Sequence, residues 1–161
     1  MTVSVHAIAD YFLRKVDKAA GDDITQLKLQ KLLYYAQAWY LAMYDQPLFN
    51  NKIEAWQHGP VCREIYERFR HLSWNPIPET ATVSNVHALD SETQVFLEEI
   101  WEVYGQFSAS KLEQMTHEED PWVNARKGVY PGYPSQTLID ENVMRKYYQS
   151  RMQARKRIRA N

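Results

Sequence analysis

The chain reads as a mostly α-helical protein, a single compact bundle of six or seven helices with a short extended or hairpin element near residues 47–57. Three observations lead there. Apolar residues recur at three- and four-residue spacing in most segments; capping residues stand in front of those segments; and glycine or proline closes them. No internal repeat or heptad array interrupts the pattern, and 161 residues suit one domain with a substantial core. Residues 1–142 are expected to form the domain, with 143–161 as a basic helical extension of it.

The elements follow in order. Ser4 can cap a first helix in which Val5, Ile8, Tyr11, Phe12 and Val16 share a face, and Gly21 is expected to end it. Thr25 caps a second helix, running to about Tyr44. There Leu29, Leu32, Leu33, Ala36, Trp39, Tyr40 and Met43 form a broad apolar stripe, and Gln26, Gln30 and Gln37 mark a narrower polar side. So wide a stripe predicts burial against several neighbours, which makes this the core helix. Lys31 is expected at the core edge, its ammonium reaching a carbonyl or carboxylate.

Asp45-Gln46-Pro47 stops the helix. Residues 48–56 alternate partially and contain turn-forming asparagines, so they predict the hairpin or extended piece. Gly59-Pro60 reads as the start of a third helix, carrying Val61, Ile65, Tyr66 and Phe69 on one face. From Ser73 to Ala88 the chain predicts a long connection, with a short strand near Ala81–Val86 as an open alternative. Ser91-Glu92-Thr93-Gln94 matches a capping box for a fourth helix, built on Phe96, Leu97, Ile100, Trp101 and Tyr104 and closed by Gly105. Ser108 caps a fifth. Asp120-Pro121 opens a sixth that Gly128 ends; residues 129–134 form a turn-rich crossing; and a last helix starts at Leu138 or Asp140.

Composition excludes several classes. One cysteine, Cys62, rules out an intramolecular disulfide and suits a reducing compartment. The N-terminus lacks a basic region followed by an apolar run, and no segment approaches the roughly 18 apolar residues of a membrane span. A cytoplasmic location is therefore expected, with no membrane partner. Charge is polarised: seven basic and no acidic residues lie between Val143 and Asn161, whereas the rest holds twelve basic and twenty acidic, a net of −8. Eleven Tyr and five Trp are many for this size, and both side chains serve core edges and contact surfaces alike.

Catalytic and cofactor motifs do not assemble. No histidine pair has metalloprotease spacing, and the five glycines stand singly rather than in a phosphate cradle, so no cofactor or metal is expected. His6, His71 and His87 are isolated. His58 and His117 each precede a proline corner, where they could hold backbone or face a shared site. Cys62 is expected at an apolar position of the third helix as an inert thiol. Glu118, Glu119 and Asp120 are best explained as helix-capping carboxylates. The tail, including Arg151, Arg155, Lys156 and Arg157, could contact nucleic acid phosphate, an acidic partner or the acidic body itself.

Four segments together carry a resemblance: Leu27-Lys28-Leu29-Gln30-Lys31-Leu32-Leu33-Tyr34-Tyr35-Ala36-Gln37; Pro47-Leu48-Phe49; Ile53-Glu54-Ala55-Trp56-Gln57-His58-Gly59-Pro60-Val61; and Thr116-His117-Glu118-Glu119-Asp120-Pro121-Trp122. In this order and spacing the chain, from about Val5 to Lys127, resembles the Panacea domain, the family of SocA-like antitoxins and GepA-like prophage proteins. The resemblance implies a bacterial or phage antitoxin that is not an enzyme and neutralises a toxin encoded nearby by direct contact. It also implies that a protease can be a further partner, with the antitoxin as adaptor delivering the toxin, and a chaperone is a similar candidate. A nucleic-acid-binding regulator using the tail is the weaker alternative, a hydrolase built on His58 and His117 another, and self-association is left open. The candidate contact or motif residues are Trp56, His58, Gly59, Pro60, His117, Pro121 and Trp122. Leu29, Lys31, Leu32, Leu33, Ala36 and Trp39 are expected in the core.

Overall fold

A computed structural model of the chain describes residues 2–81 and 88–160, the side chains of 154–160 excepted. Among the described residues there are seven α-helices and one two-stranded hairpin. Helix α1 spans Val5–Lys15, with the Ser4 hydroxyl accepting from the His6 amide at 3.2 Å. It stops before Gly21; a short 3₁₀ turn, Lys18–Ala20, intervenes, and Gly21 closes that turn instead. Helix α2, Gln26–Tyr44, is capped by Thr25 and ends at Asp45 in the left-handed conformation. It is the hub, touching α1 and five of the elements defined below.

Thirteen of its nineteen residues are buried, including Gln26, Gln30 and Gln37. The expected polar side of α2 is therefore interior. Gln26 accepts from Gln30 at 3.3 Å, and the other two amides bond to protein backbone: Gln37 accepts from the Leu48 amide at 2.8 Å and donates to the Phe49 carbonyl at 2.8 Å, fixing the segment after the Pro47 stop. Such complete pairing is what makes a buried amide tolerable.

The expected hairpin is present, its first strand inside residues 47–57 and its second just beyond them. Strands β1, Ile53–Trp56, and β2, Gly59–Cys62, pair antiparallel through a turn at Gln57-His58, with Trp56 opposite Gly59 and Ala55 opposite Pro60. Gly59-Pro60 thus opens a strand, not a helix, and α3 runs from Arg63 to Phe69. Proline is admissible because Ala55 turns its own amide away from β2, toward the Thr137 carbonyl at 2.8 Å. Their pair needs no donor from Pro60. On that far side of β1, Ile139 also donates to the Ile53 carbonyl at 2.8 Å, so residues 137–139 line the hairpin like a third strand.

Helix α4, Ser91–Tyr104, is capped by Asp90, one residue before the expected Ser91; the Asp90 carboxylate accepts from the Thr93 amide at 2.7 Å. Helix α5, Ala109–His117, is capped by Ser108. Helix α6, Asp120–Ala125, starts after Glu119 and ends before Gly128. Asp140 caps α7, Glu141–Ala160, whose Met144 and Tyr148 are buried against α2. The strand considered for Ala81–Val86 lies, beyond Ala81, outside the described residues, as does His87. Among the described residues no helix is long and apolar enough to cross a membrane.

Candidate functional site

The site is built outward from α2. Neighbouring side chains of this helix cover the free edge of β2: Gln30 accepts from the Cys62 amide at 2.9 Å and donates to its carbonyl at 3.2 Å, and the Lys31 ammonium donates to the Pro60 carbonyl at 3.2 Å. Lys31 is fully buried. Burial pushes its ammonium down to about 7, against the opposing pull of Glu113. Gly59, at φ 112°, makes room for it, since a Cβ there would stand 2.4 Å from Lys31 Cε.

The turn beyond is held from α5 and α6. His58 Nδ1 meets the Glu113 carboxylate at 2.8 Å, and the same oxygen lies 3.9 Å from His117 Nε2. The His117 ring stacks on Trp122, 3.9 Å between centroids and 8° from parallel, with its Nε2 buried and without a hydrogen-bond partner. Burial first, and then the nearby cations Lys31 and Arg126, hold the His117 imidazolium down despite Glu113. Trp122 donates to the Trp56 carbonyl at 2.8 Å, and Arg126, stacked over Trp122, donates to the Ala55 carbonyl at 2.9 Å. Pro121 is buried at the base of α6.

Trp56 projects from the other face of the hairpin. Its ring meets Tyr66 edge-on at 4.7 Å and lies under the Arg63 guanidinium, which is forked onto Glu54 at 2.8 and 2.9 Å. All seven motif residues therefore gather around one hairpin. His117 and Trp122 brace it from beneath, while His58, its side chain 52% exposed, faces outward. Glu113 is bonded to His58 and lies near His117, and its place one helical turn before His117 is legible in the sequence, whereas its approach to His58 is not. Cys62 sits in β2 rather than on α3, buried, and burial pushes its thiol up, away from the reactive thiolate.

Beside the hairpin lies a groove of about 660 Å³. Its floor is Gln30, Lys31, Val61 and the Trp56–Tyr66 pair; its rim is His58, Arg70, Trp74 and residues 134–136. Trp74, missed in the sequence, is exposed, and its ring stands 6.0 Å from that of His58.

On the opposite side Glu119 does not cap α6 with its carboxylate. Buried, it accepts from Tyr35 and, at 2.9 Å, from Tyr148, whose oxygen lies 3.2 Å from the Tyr34 hydroxyl and can accept from it. Burial pushes the Glu119 carboxyl up, opposed by the two phenols. This cluster fastens α7 to α2. In the tail, Arg151 bonds to the Tyr147 hydroxyl and covers its ring, and Arg145 approaches Asp45 at 3.6 Å. The side chains of Arg155, Lys156 and Arg157 lie outside the described residues. Among the described residues no group of three or more His, Cys, Asp or Glu could hold a metal ion.

The profile of the family described as "Antitoxin SocA-like, Panacea domain" matches residues 29–123, the stretch from α2 into α6 that contains every motif residue above. Antitoxin SocA of Caulobacter vibrioides (strain NA1000 / CB15N) is 33% identical over 133 residues, covering 75% of this chain and 69% of that protein. No solved structure matches. The chain belongs to the SocA-like, Panacea-domain family of antitoxins.

Proposed function

We propose that this protein is the antitoxin of a bacterial or phage toxin–antitoxin pair, neutralising its toxin by direct binding at the groove beside the hairpin. The observation that carries the reading is convergence. The hairpin turn with His58, the start of the 73–88 connection with Trp74 and the end of the 129–134 crossing with the two residues after it are far apart in sequence and border one groove. Its walls carry Trp56, Trp74, Tyr66, Arg63 and Arg70, the residue types that dominate binding energy at protein interfaces. The buried motif residues Lys31, Gly59, Pro60 and Pro121, with the half-buried Trp122, act as the scaffold that holds the turn, and the exposed rim makes the contacts. Membership in an antitoxin family supplies the partner class.

The test is co-expression with the neighbouring reading frame. The protein rescues growth from a toxic neighbour and co-purifies with it. His58→Ala weakens both without lowering the melting temperature, because the imidazole is half exposed and what is lost is its tie to Glu113 and an edge contact with the exposed Trp74 ring. A matching loss of thermal stability would move His58 to the scaffold, and the absence of any complex would refute the reading.

A further inference from the structure

Ser73 has φ 54° and ψ −124°, and the Asn75 amide closes onto the Leu72 carbonyl at 3.0 Å. These are the features of a type II′ turn with Ser73 at its first central position, where glycine normally stands because a side chain is crowded at positive φ. The strain is not balanced by burial of the next residue, for Trp74 is 66% exposed. A non-glycine residue held in such a conformation, presenting an exposed tryptophan, points to a role outside the stability of the fold.

Trp74 lines the same groove as the Trp56–Tyr66 pair. The groove is also less acidic than the body around it. Arg63 and Arg70 line it against the single carboxylate of Glu67. With Glu54, the partner of Arg63, included, the charges balance at two against two, whereas the remainder of residues 1–142 holds ten basic and eighteen acidic residues. Arg70 is the readier of the two arginines to change partner: its contact with Glu67 is 3.4 Å long and exposed on both sides, the kind of pair that is exchanged at little cost.

Resting on the reading above, we propose that Trp74 is the anchor with which this groove grips an acidic, extended segment of the toxin, one apolar side chain of that segment packing between Trp74 and the Trp56–Tyr66 pair while a carboxylate pairs with Arg70. The strained turn sets the tryptophan in place before binding, which spares the complex the ordering of a flexible aromatic side chain.

The experiment uses the full chain, the toxin that it rescues, and overlapping synthetic peptides tiling that toxin. Trp74→Ala is expected to weaken the Kd for the toxin about tenfold or more with an unchanged melting temperature, and Trp74→Phe to recover most of that loss. Arg70→Glu weakens binding further, added salt weakens the wild type more than it weakens Arg70→Glu, and the peptides that bind carry an acidic residue next to an apolar one. Wild-type affinity in both Trp74→Ala and Arg70→Glu, or capture of basic peptides only, overturns the inference. If that happens while the wild-type chain still rescues growth, the antitoxin reading stands and only the anchor falls; if the wild-type chain neither rescues nor binds, the reading falls and takes the anchor with it.

Discussion

At Gly59 a methyl group would meet the Lys31 side chain at 2.4 Å, in a backbone conformation that L residues rarely adopt. Gly59→Ala should therefore cost about 2–4 kcal/mol through backbone strain and overpacking together, read as a lower urea midpoint. Lys31 has its own signature. The unfolded ammonium titrates at 10.5 and the folded one at about 7, so between those values the unfolded chain holds a proton that the folded chain has released. Stability contributed at this site must then rise as the pH climbs from about 7 toward 10.5, and below 7, with both states protonated, the full burial cost is present. Lys31→Met removes the rise. The check is the difference in unfolding free energy between the two proteins from about pH 7 to 9, before the Cys62 thiol and the buried tyrosines, all pushed up by burial, add the opposite slope. The sequence placed Lys31 at the edge of the core through the apolar stripe on either side of it. It held no sign that Gly59 exists to admit that side chain, because the approach is between residues twenty-eight positions apart.

Among the elements, the hairpin and α2 form one unit. Gln30 occupies both backbone groups of Cys62, so Gln30→Leu leaves a donor and an acceptor buried without partners. The expected cost is about 2–4 kcal/mol, measurable by chemical denaturation, with β2 amides losing hydrogen-exchange protection before α2. Helical periodicity located α2 and Thr25 as its cap, yet assigned the glutamines to a polar side. A pattern of residue types records which positions avoid water, not whether a polar group meets water or another segment's backbone. Pro60 illustrates the same limit: the local signal for a helix start was sound chemistry, but pairing with β1 placed the missing amide where no donor is needed. The one-residue displacement of the cap at α4 has a simpler cause, because adjacent Asp90 and Ser91 offer rival caps and backbone geometry chooses between them, whereas α6 starts with no side-chain cap and the Glu119 carboxylate is drawn to Tyr35 and Tyr148.

For the whole molecule, the position of α7 matters most. Tyr148 donates to Glu119 and packs among Tyr34, Tyr35 and Trp39. Tyr148→Phe should cost about 1.5–3 kcal/mol, the range for a hydrogen bond to a charged group. Deleting residues 141–161 should abolish cooperative unfolding, since it also uncovers the core face that Met144 fills. Ending the chain after Met152 should leave the melting temperature nearly unchanged and toxin rescue intact, with circular dichroism and growth as the readouts. The charge count had marked residues 143–161 as an extension; packing makes the first half of that segment a wall of the core.

Through short-range chemistry alone, the sequence determined the helices, most of their caps and stops, and the motif spacing that resembles the antitoxin family, for capping and periodicity act within a few residues. Tertiary structure decided which polar groups face backbone, that the Glu113 carboxylate near His117 is bonded to His58, and that Trp56, Trp74 and Gln136 border one groove. Those relations depend on strand register and on the seating of the hairpin against α2, which bring together residues that no local pattern connects.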